Sequence, residues 1–193
     1  LRVEEVQSLI RTLNEHPEEV ERYRAALDLA GSKDGYVVDC LAARLPCEPS
    51  RVVQEAIVSA LISIGTDEVV ERCAGLLRSD DAYVRNAAVE ILQVLEERSL
   101  KVVQRLLEDA DPDTRLLAVN VLGELRCREA VEWLRRMVAK DSEVNVVAAA
   151  VECLGEMGLR EEDRKTIQAA VERFQDPYLA FAAEVALKKM GRT

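Results

Sequence analysis

The chain of 193 residues contains one histidine, one tryptophan, two phenylalanines and four tyrosines, with only five prolines and eight glycines. One histidine cannot build a metal site that needs paired His and Glu ligands. His16 precedes Pro17 in a predicted loop among Glu15, Glu18 and Glu19, which is the setting of a surface residue rather than a ligand. No glycine-rich phosphate loop, no serine on a strand-turn-helix elbow and no cysteine with a reachable histidine is evident, so no catalytic residue, no metal and no cofactor is expected. The five cysteines, Cys40, Cys47, Cys73, Cys127 and Cys153, are odd in number and form no C-x-x-C pair, which argues against a zinc site and a full disulfide framework. Cys73 and Cys153 fall in apolar columns and read as small buried hydrophobes, whereas Cys47 and Cys127 fall in predicted loops. Positive charge is also scarce: 26 Lys and Arg stand against 36 Asp and Glu, a net of −10 that repels phosphate backbones and anionic lipid. No apolar run approaches the roughly 18 residues of a membrane span, and Leu1 to Asn14 is too charged for a signal peptide. The chain is expected to be cytoplasmic, with neither nucleic acid nor membrane as partner.

What is present is a repeat. Val84-Arg85-Asn86-Ala87-Ala88-Val89-Glu90-Ile91-Leu92 recurs as Thr114-Arg115-Leu116-Leu117-Ala118-Val119-Asn120-Val121-Leu122, and more loosely from Val53 to Leu61. The closing leucines read as Leu27, Leu61, Leu92, Leu122, Leu154 and Leu187, spaced by subtraction about 34, 31, 30, 32 and 33 residues apart, a period that marks a solenoid. Each repeat holds two apolar-periodic stretches. The first-helix columns are Val70, Leu100, Val131; Cys73, Val103, Leu134; and Leu77, Leu107, Val138, whose spacings of three and four share one helix face. Second helices begin at Asp81, Asp111-Pro112, Asp141-Ser142 and Asp176-Pro177, since Asp accepts the first free N–H groups and Pro at the first helical position loses no bond. Gly31, Gly65, Gly158 and Gly191 read as left-handed stops.

Twelve helices are therefore predicted, at about 1–14, 17–30, 35–45, 49–64, 67–79, 81–96, 98–109, 112–125, 128–140, 143–157, 161–174 and 177–190. They form six repeats (1–31, 35–65, 67–96, 98–126, 128–158 and 161–191) in a single all-α domain over 1–193.

The pattern Asp-Pro/Ala-x-x-Arg-x-x-Ala-Val-x-x-Leu-Gly-x-Leu, from Asp111 to Leu125 and echoed from Asp81 to Leu95, resembles the HEAT-like repeat, in the short bacterial and archaeal form named after phycobilisome lyase subunits. The resemblance implies a right-handed α-α superhelix whose second helices line a concave face. It also implies that Asp81, Arg85, Asp111 and Arg115 link adjacent repeats; the four-residue spacing makes a salt bridge within each pair available as well. Val147 and Ala180 replace the arginine in later copies, so a ladder cannot run the full length.

With the leucine and alanine columns pointing inward, three columns fall on the opposite side of the second helices. They are Glu55, Asn86, Leu116, Ala148 and Phe181; then Ser59, Glu90, Asn120, Glu152 and Val185; then Ser63, Val94, Glu124, Glu156 and Lys189. Carboxylates beside apolar groups suit a partner segment carrying Lys or Arg next to hydrophobic anchors. The bland reading is a solvated helix face with Leu116 and Phe181 half-buried. Trp133, in a variable first-helix column, and Tyr23, Tyr83 and Tyr178 are secondary contact candidates whose default is packing. The chain thus reads as a non-enzymatic, monomeric protein-interaction scaffold or assembly module. The alternatives are a bilin lyase-like subunit acting on a phycobiliprotein and a structural spacer in a longer chain, which the opening residue Leu1 leaves open.

Overall fold

A computed structural model describes residues 1–125 and 127–190. Twelve α-helices occur among them: α1 (Val3–Glu15), α2 (Glu19–Leu29), α3 (Gly35–Arg44), α4 (Arg51–Ile64), α5 (Asp67–Leu76), α6 (Ala82–Val94), α7 (Leu100–Leu106), α8 (Pro112–Glu124), α9 (Arg128–Lys140), α10 (Val144–Met157), α11 (Glu161–Phe174) and α12 (Pro177–Met190). Short 3-10 turns stand at Leu45–Cys47 and Glu96–Ser99, and no strand occurs among the described residues. The fold is an all-helical repeat solenoid, and the chain divides into compact units Leu1–Val102 and Val103–Thr193. In the first unit, α2, α4 and α6 pack side by side as one layer and α1, α3 and α5 as the other; in the second, α8, α10 and α12 form one layer and α9 and α11 the other.

The predicted columns explain the burial. Cys73, Val103 and Leu134 are fully buried, as are Leu61, Leu92 and Leu122. Within each unit the helices cover their apolar stripes against their partner in the repeat and against neighbours one repeat away, the arrangement that makes solenoid stability a sum of nearest-neighbour contacts. Burial pushes the Cys73 thiol up to about 12, as befits a small core hydrophobe, whereas Cys153 is only half-buried, its thiol pushed up to about 11 by partial burial and the nearby Glu152 and Glu124.

The first repeat needs a correction. Leu27 is 40% exposed, whereas Leu29 is fully buried. Counted from the residue that precedes each second helix, Leu29 stands eleven positions after Glu18, as Leu61 does after Ser50 and Leu92 after Asp81. The repeat is therefore in phase from its first copy, and the leucine column begins two residues later than the sequence pattern suggested.

Caps follow local chemistry. Asp81 accepts the Tyr83 N–H, Asp111 those of Asp113 and Thr114, and Asp176 that of Leu179. Asp141 acts one step removed: Glu143 is the residue before α10, and Asp141 accepts its N–H. Gly65 closes α4 in the left-handed region (φ 56°), where a Cβ is strained, and Gly158 ends α10 at φ 93°. Gly31 is not left-handed, since Ala30 closes α2 in the right-handed helical conformation, while Gln175 takes a left-handed conformation after α11 without being glycine. Gly191 lies outside the described residues.

At Gly155 α10 packs tightly on α12: a Cβ placed there would sit 2.9 Å from the Cβ and 3.2 Å from the Cα of Ala186. Gly155→Ala gains about 1 kcal/mol of helix propensity and incurs roughly 1–3 kcal/mol of overpacking. It is expected to lower the urea midpoint modestly, and the exchange Gly155→Ala/Ala186→Gly to restore it. A single variant as stable as the wild type would show that the two helices separate without cost.

Candidate functional site

Positions two, five, nine and thirteen after each second-helix cap fall within an arc of about 80° at 100° per residue, opposite the buried leucine column. In the first unit this arc exposes Glu55, Ser59 and Ser63 on α4 and Asn86, Glu90 and Val94 on α6. Val20 and Leu27 on α2, which the misphased first copy had hidden, and Val52 on α4 extend the arc as exposed apolar groups. Tyr23 and Tyr83 are half-buried, and the Arg51 guanidinium lies 3.9 Å from the centre of the Tyr83 ring.

In the second unit the arc exposes Asn120 and Glu124 on α8, Glu152 and Glu156 on α10, and Tyr178, Phe181 and Val185 on α12. Phe181 is 62% exposed, the largest apolar group open on this face, whereas Leu116 is half-buried and Ala148 buried. Two of the carboxylates are already engaged. The Tyr178 hydroxyl donates to Glu152 at 2.8 Å, which with the carboxylate's charge raises the phenol's pKa, and Lys189 pairs with Glu156. These contacts join α10 to α12 and lower the acidity that the column alone suggested. Trp133 is half-buried on α9.

The arginines four residues after the caps have a different role. Arg115 donates through Nη1 to the carbonyls of Asp109 and Ala110, and through Nε and Nη2 to Asp141 at 2.8 and 3.1 Å. It therefore ties the turn before α8 to the turn before α10, while Asp111, four residues earlier, caps its helix. Arg85 donates to the carbonyls of Ser79 and Asp80 in the same manner. Arg115 is 12% exposed and its bonds are committed within the protein, so it is not available to an anionic ligand.

Arg22 repeats the arrangement and was hidden by the misphased first repeat. Its Nη1 donates to the carbonyls of His16 and Pro17, and its Nε and Nη2 to Glu48, twenty-six residues on, the separation also found between Arg115 and Asp141. Glu48 additionally accepts two bonds from Arg44 and the Ser50 N–H. Burial alone would raise the Glu48 carboxyl, but these donors outweigh it and hold the pKa below 4.5. Beyond Arg115 the role passes to first helices: Arg135 on α9 grips Asp163 on α11 at 2.6 and 2.9 Å, and Arg173 donates to the carbonyls of Val138, Ala139 and Asp141. An Arg four residues after a cap with an acid twenty-six residues later is the sequence signal that could have found the Arg22 node.

Cys47 is exposed, and Cys40 and Cys127 are half-buried. His16 ends α1 and accepts the Glu18 N–H through Nδ1. Among the described residues no group of three or more His, Cys, Asp or Glu could hold a metal, and no helix is long and apolar enough to cross a membrane.

A family model described as HEAT repeats matches residues 6–93 and 99–188. No curated protein matches the sequence. Similar solved structures include human deoxyhypusine hydroxylase in complex with glycerol (16% identity, 97% of this chain and 85% of that chain, TM-score 0.49). An archaeal HEAT-like repeats protein from Thermococcus onnurineus NA1 is similar at 14% identity over 97% of this chain and 87% of that chain, TM-score 0.47. The CpcE–CpcF complex of phycocyanin lyase from Nostoc sp. PCC7120 is similar at 20% identity over 96% of this chain and 77% of that chain, TM-score 0.45.

Proposed function

The chain belongs to the HEAT-repeat family, and on that premise we propose that it is a non-enzymatic interaction module that binds another protein through the exposed arc of its second helices. The observation that carries the reading is the composition of that arc: in each unit, carboxylates stand beside open apolar groups. Glu55 and Glu90 accompany Val52 and Val94 in the first unit, and Glu124 and Glu152 accompany Phe181 and Val185 in the second. These apolar side chains face water, and a partner's apolar anchors would cover them. The partner chemistry that fits is a segment with Lys or Arg spaced among apolar residues.

An exposed ion pair contributes only about 0–1 kcal/mol, so the carboxylates act as an array that accelerates encounter, while the apolar contacts set the lifetime of the complex. Replacing Glu90, Glu124, Glu152 and Glu156 together by Lys is expected to leave helicity intact and to weaken capture of a basic-apolar partner at least tenfold. Affinity capture from native lysate at low and moderate salt, wild type beside variant, reads this out. Identical captured proteins at equal yield would remove the second-helix face as the site.

A further inference from the structure

In a chain of net charge −10, positive charge gathers in a cleft of about 590 Å³ between the start of α9 and the turn from α10 to α11. Its lining includes Arg128, Arg135 and Arg160 against one carboxylate, Glu132, with Val131 and Met157 as apolar walls. We propose that this cleft binds a small organic monoanion, a carboxylate carried on an apolar body.

The three guanidiniums are held differently. Arg135 is fixed, with Nε and Nη2 committed to Asp163, whose side chain is 4% exposed, so the Nη1 edge of its fork lies outside that pair. Arg128 and Arg160 are 87% and 70% exposed, each paired with one exposed carboxylate, Glu132 at 2.8 Å and Glu162 at 3.6 Å, with the Glu129 charge also near Arg128. Pairs of that kind contribute little, so both side chains can turn to a ligand at small cost. A fixed guanidinium at the floor with two adaptable ones at the rim provides bidentate recognition of a planar carboxylate, a geometry that an ammonium cannot supply. Cys127, the residue before α9, makes no side-chain cap, so the first-turn N–H groups add donors on the same side.

The remaining features select the rest of the ligand. Val131 and Met157 offer nothing to a bare inorganic ion but cover a ring or a short alkyl chain, and the volume lies in the range of small-molecule sites. Glu132 at the wall and Asp163 beneath Arg135 disfavour a second negative charge. A second cleft, about 390 Å³, lined by Arg115, Arg136 and Lys140, is balanced by Glu108, Asp109 and Asp141 and selects no sign of charge. The proposed site uses the α9 edge rather than the second-helix arc and does not depend on the interaction reading.

The test is an NMR titration of the whole chain with benzoate, alongside benzyl alcohol and inorganic phosphate, for the wild type and Arg128→Gln/Arg160→Gln. Arg135 is left intact because it joins α9 to α11. Benzoate is expected to shift the first-turn amides of α9 and the Met157 methyl saturably, with benzyl alcohol and phosphate at least tenfold weaker. The double variant, its fold verified by unchanged shifts elsewhere, is expected to lose at least tenfold in benzoate affinity. Equal binding of the alcohol overturns the role of charge, equal binding of phosphate overturns the apolar body, and an unchanged variant or unsaturable shifts spread over the surface overturn the site.

Discussion

Replacing Glu48 by alanine is expected to destabilise the protein by about 3–5 kcal/mol, the range for removing one partner of a buried ion pair. The Glu48 side chain is fully buried between Arg22, 11% exposed, and Arg44, 17% exposed, and it satisfies both guanidiniums as well as the Ser50 N–H. Its loss leaves two cations largely out of water without an anion. Attraction within the cluster is not the main source of the loss; the unpaired charges are. Converting Arg22, Arg44 and Glu48 together to apolar residues of similar volume is therefore expected to recover most of the stability, although Arg22 also ties down the carbonyls of His16 and Pro17. Urea unfolding of wild type, single variant and triple variant gives the comparison. A single variant within about 0.5 kcal/mol of wild type, the usual span for surface changes, would show that water reaches the cluster.

Asp163→Ala is the corresponding experiment in the second unit, with an expected loss of about 3 kcal/mol, toward the lower end because Arg135 at 21% exposure can recruit water. Asp163 accepts Arg135 at two positions and the Arg160 N–H at 2.7 Å, so the substitution breaks both the α9–α11 link and the start of α11. Burial would raise the Asp163 carboxyl, but the bonds from Arg135 and the Arg160 N–H hold it below its ordinary 3.8. Both folded-state pKa values are depressed, so the stabilisation is fully present above the ordinary carboxylate values, 4.5 for Glu48 and 3.8 for Asp163, and is lost as pH falls through the folded values. Wild-type Tm is expected to stay level from neutral pH to about 5 and to fall steeply below about 4. The isosteres Glu48→Gln and Asp163→Asn are expected to start lower and fall less. Parallel curves for wild type and isosteres would rule out these carboxylates as the source of acid sensitivity. Because the two sites share no partner and lie in separate units, the losses from the two alanine variants are expected to add within about 0.5 kcal/mol.

The twelve helices, the caps at Asp81, Asp111 and Asp176 and the repeat were legible because each depends on residues within one or two turns. An Asp directly before a helix accepts its first free N–H groups, as Asp81 and Asp111 do, and a spacing of three and four marks one face wherever the helix ends up. The exposed arc was legible for the same reason: Glu55, Asn86, Glu90, Glu124 and Glu152 lie opposite the buried columns and face water. The first repeat was harder to read because Glu18 makes no side-chain cap and Leu27 and Leu29 compete for the closing position. That two-residue shift hid Arg22 and Val20.

The sequence by itself determined where the helices run, which side of each is buried and that the units repeat, since periodicity and capping are properties of neighbouring residues. The tertiary structure decided which charges meet between repeats, whereas pairs three or four residues apart, such as Arg128 with Glu132, follow from local spacing. Arg115 passes over the aspartate four residues away and takes Asp141, Lys189 pairs with Glu156, and Arg128, Arg135 and Arg160 come to line one cleft. Partner choice among charges depends on how the next helix pair stacks, a distance of some thirty residues along the chain, and no local pattern encodes it.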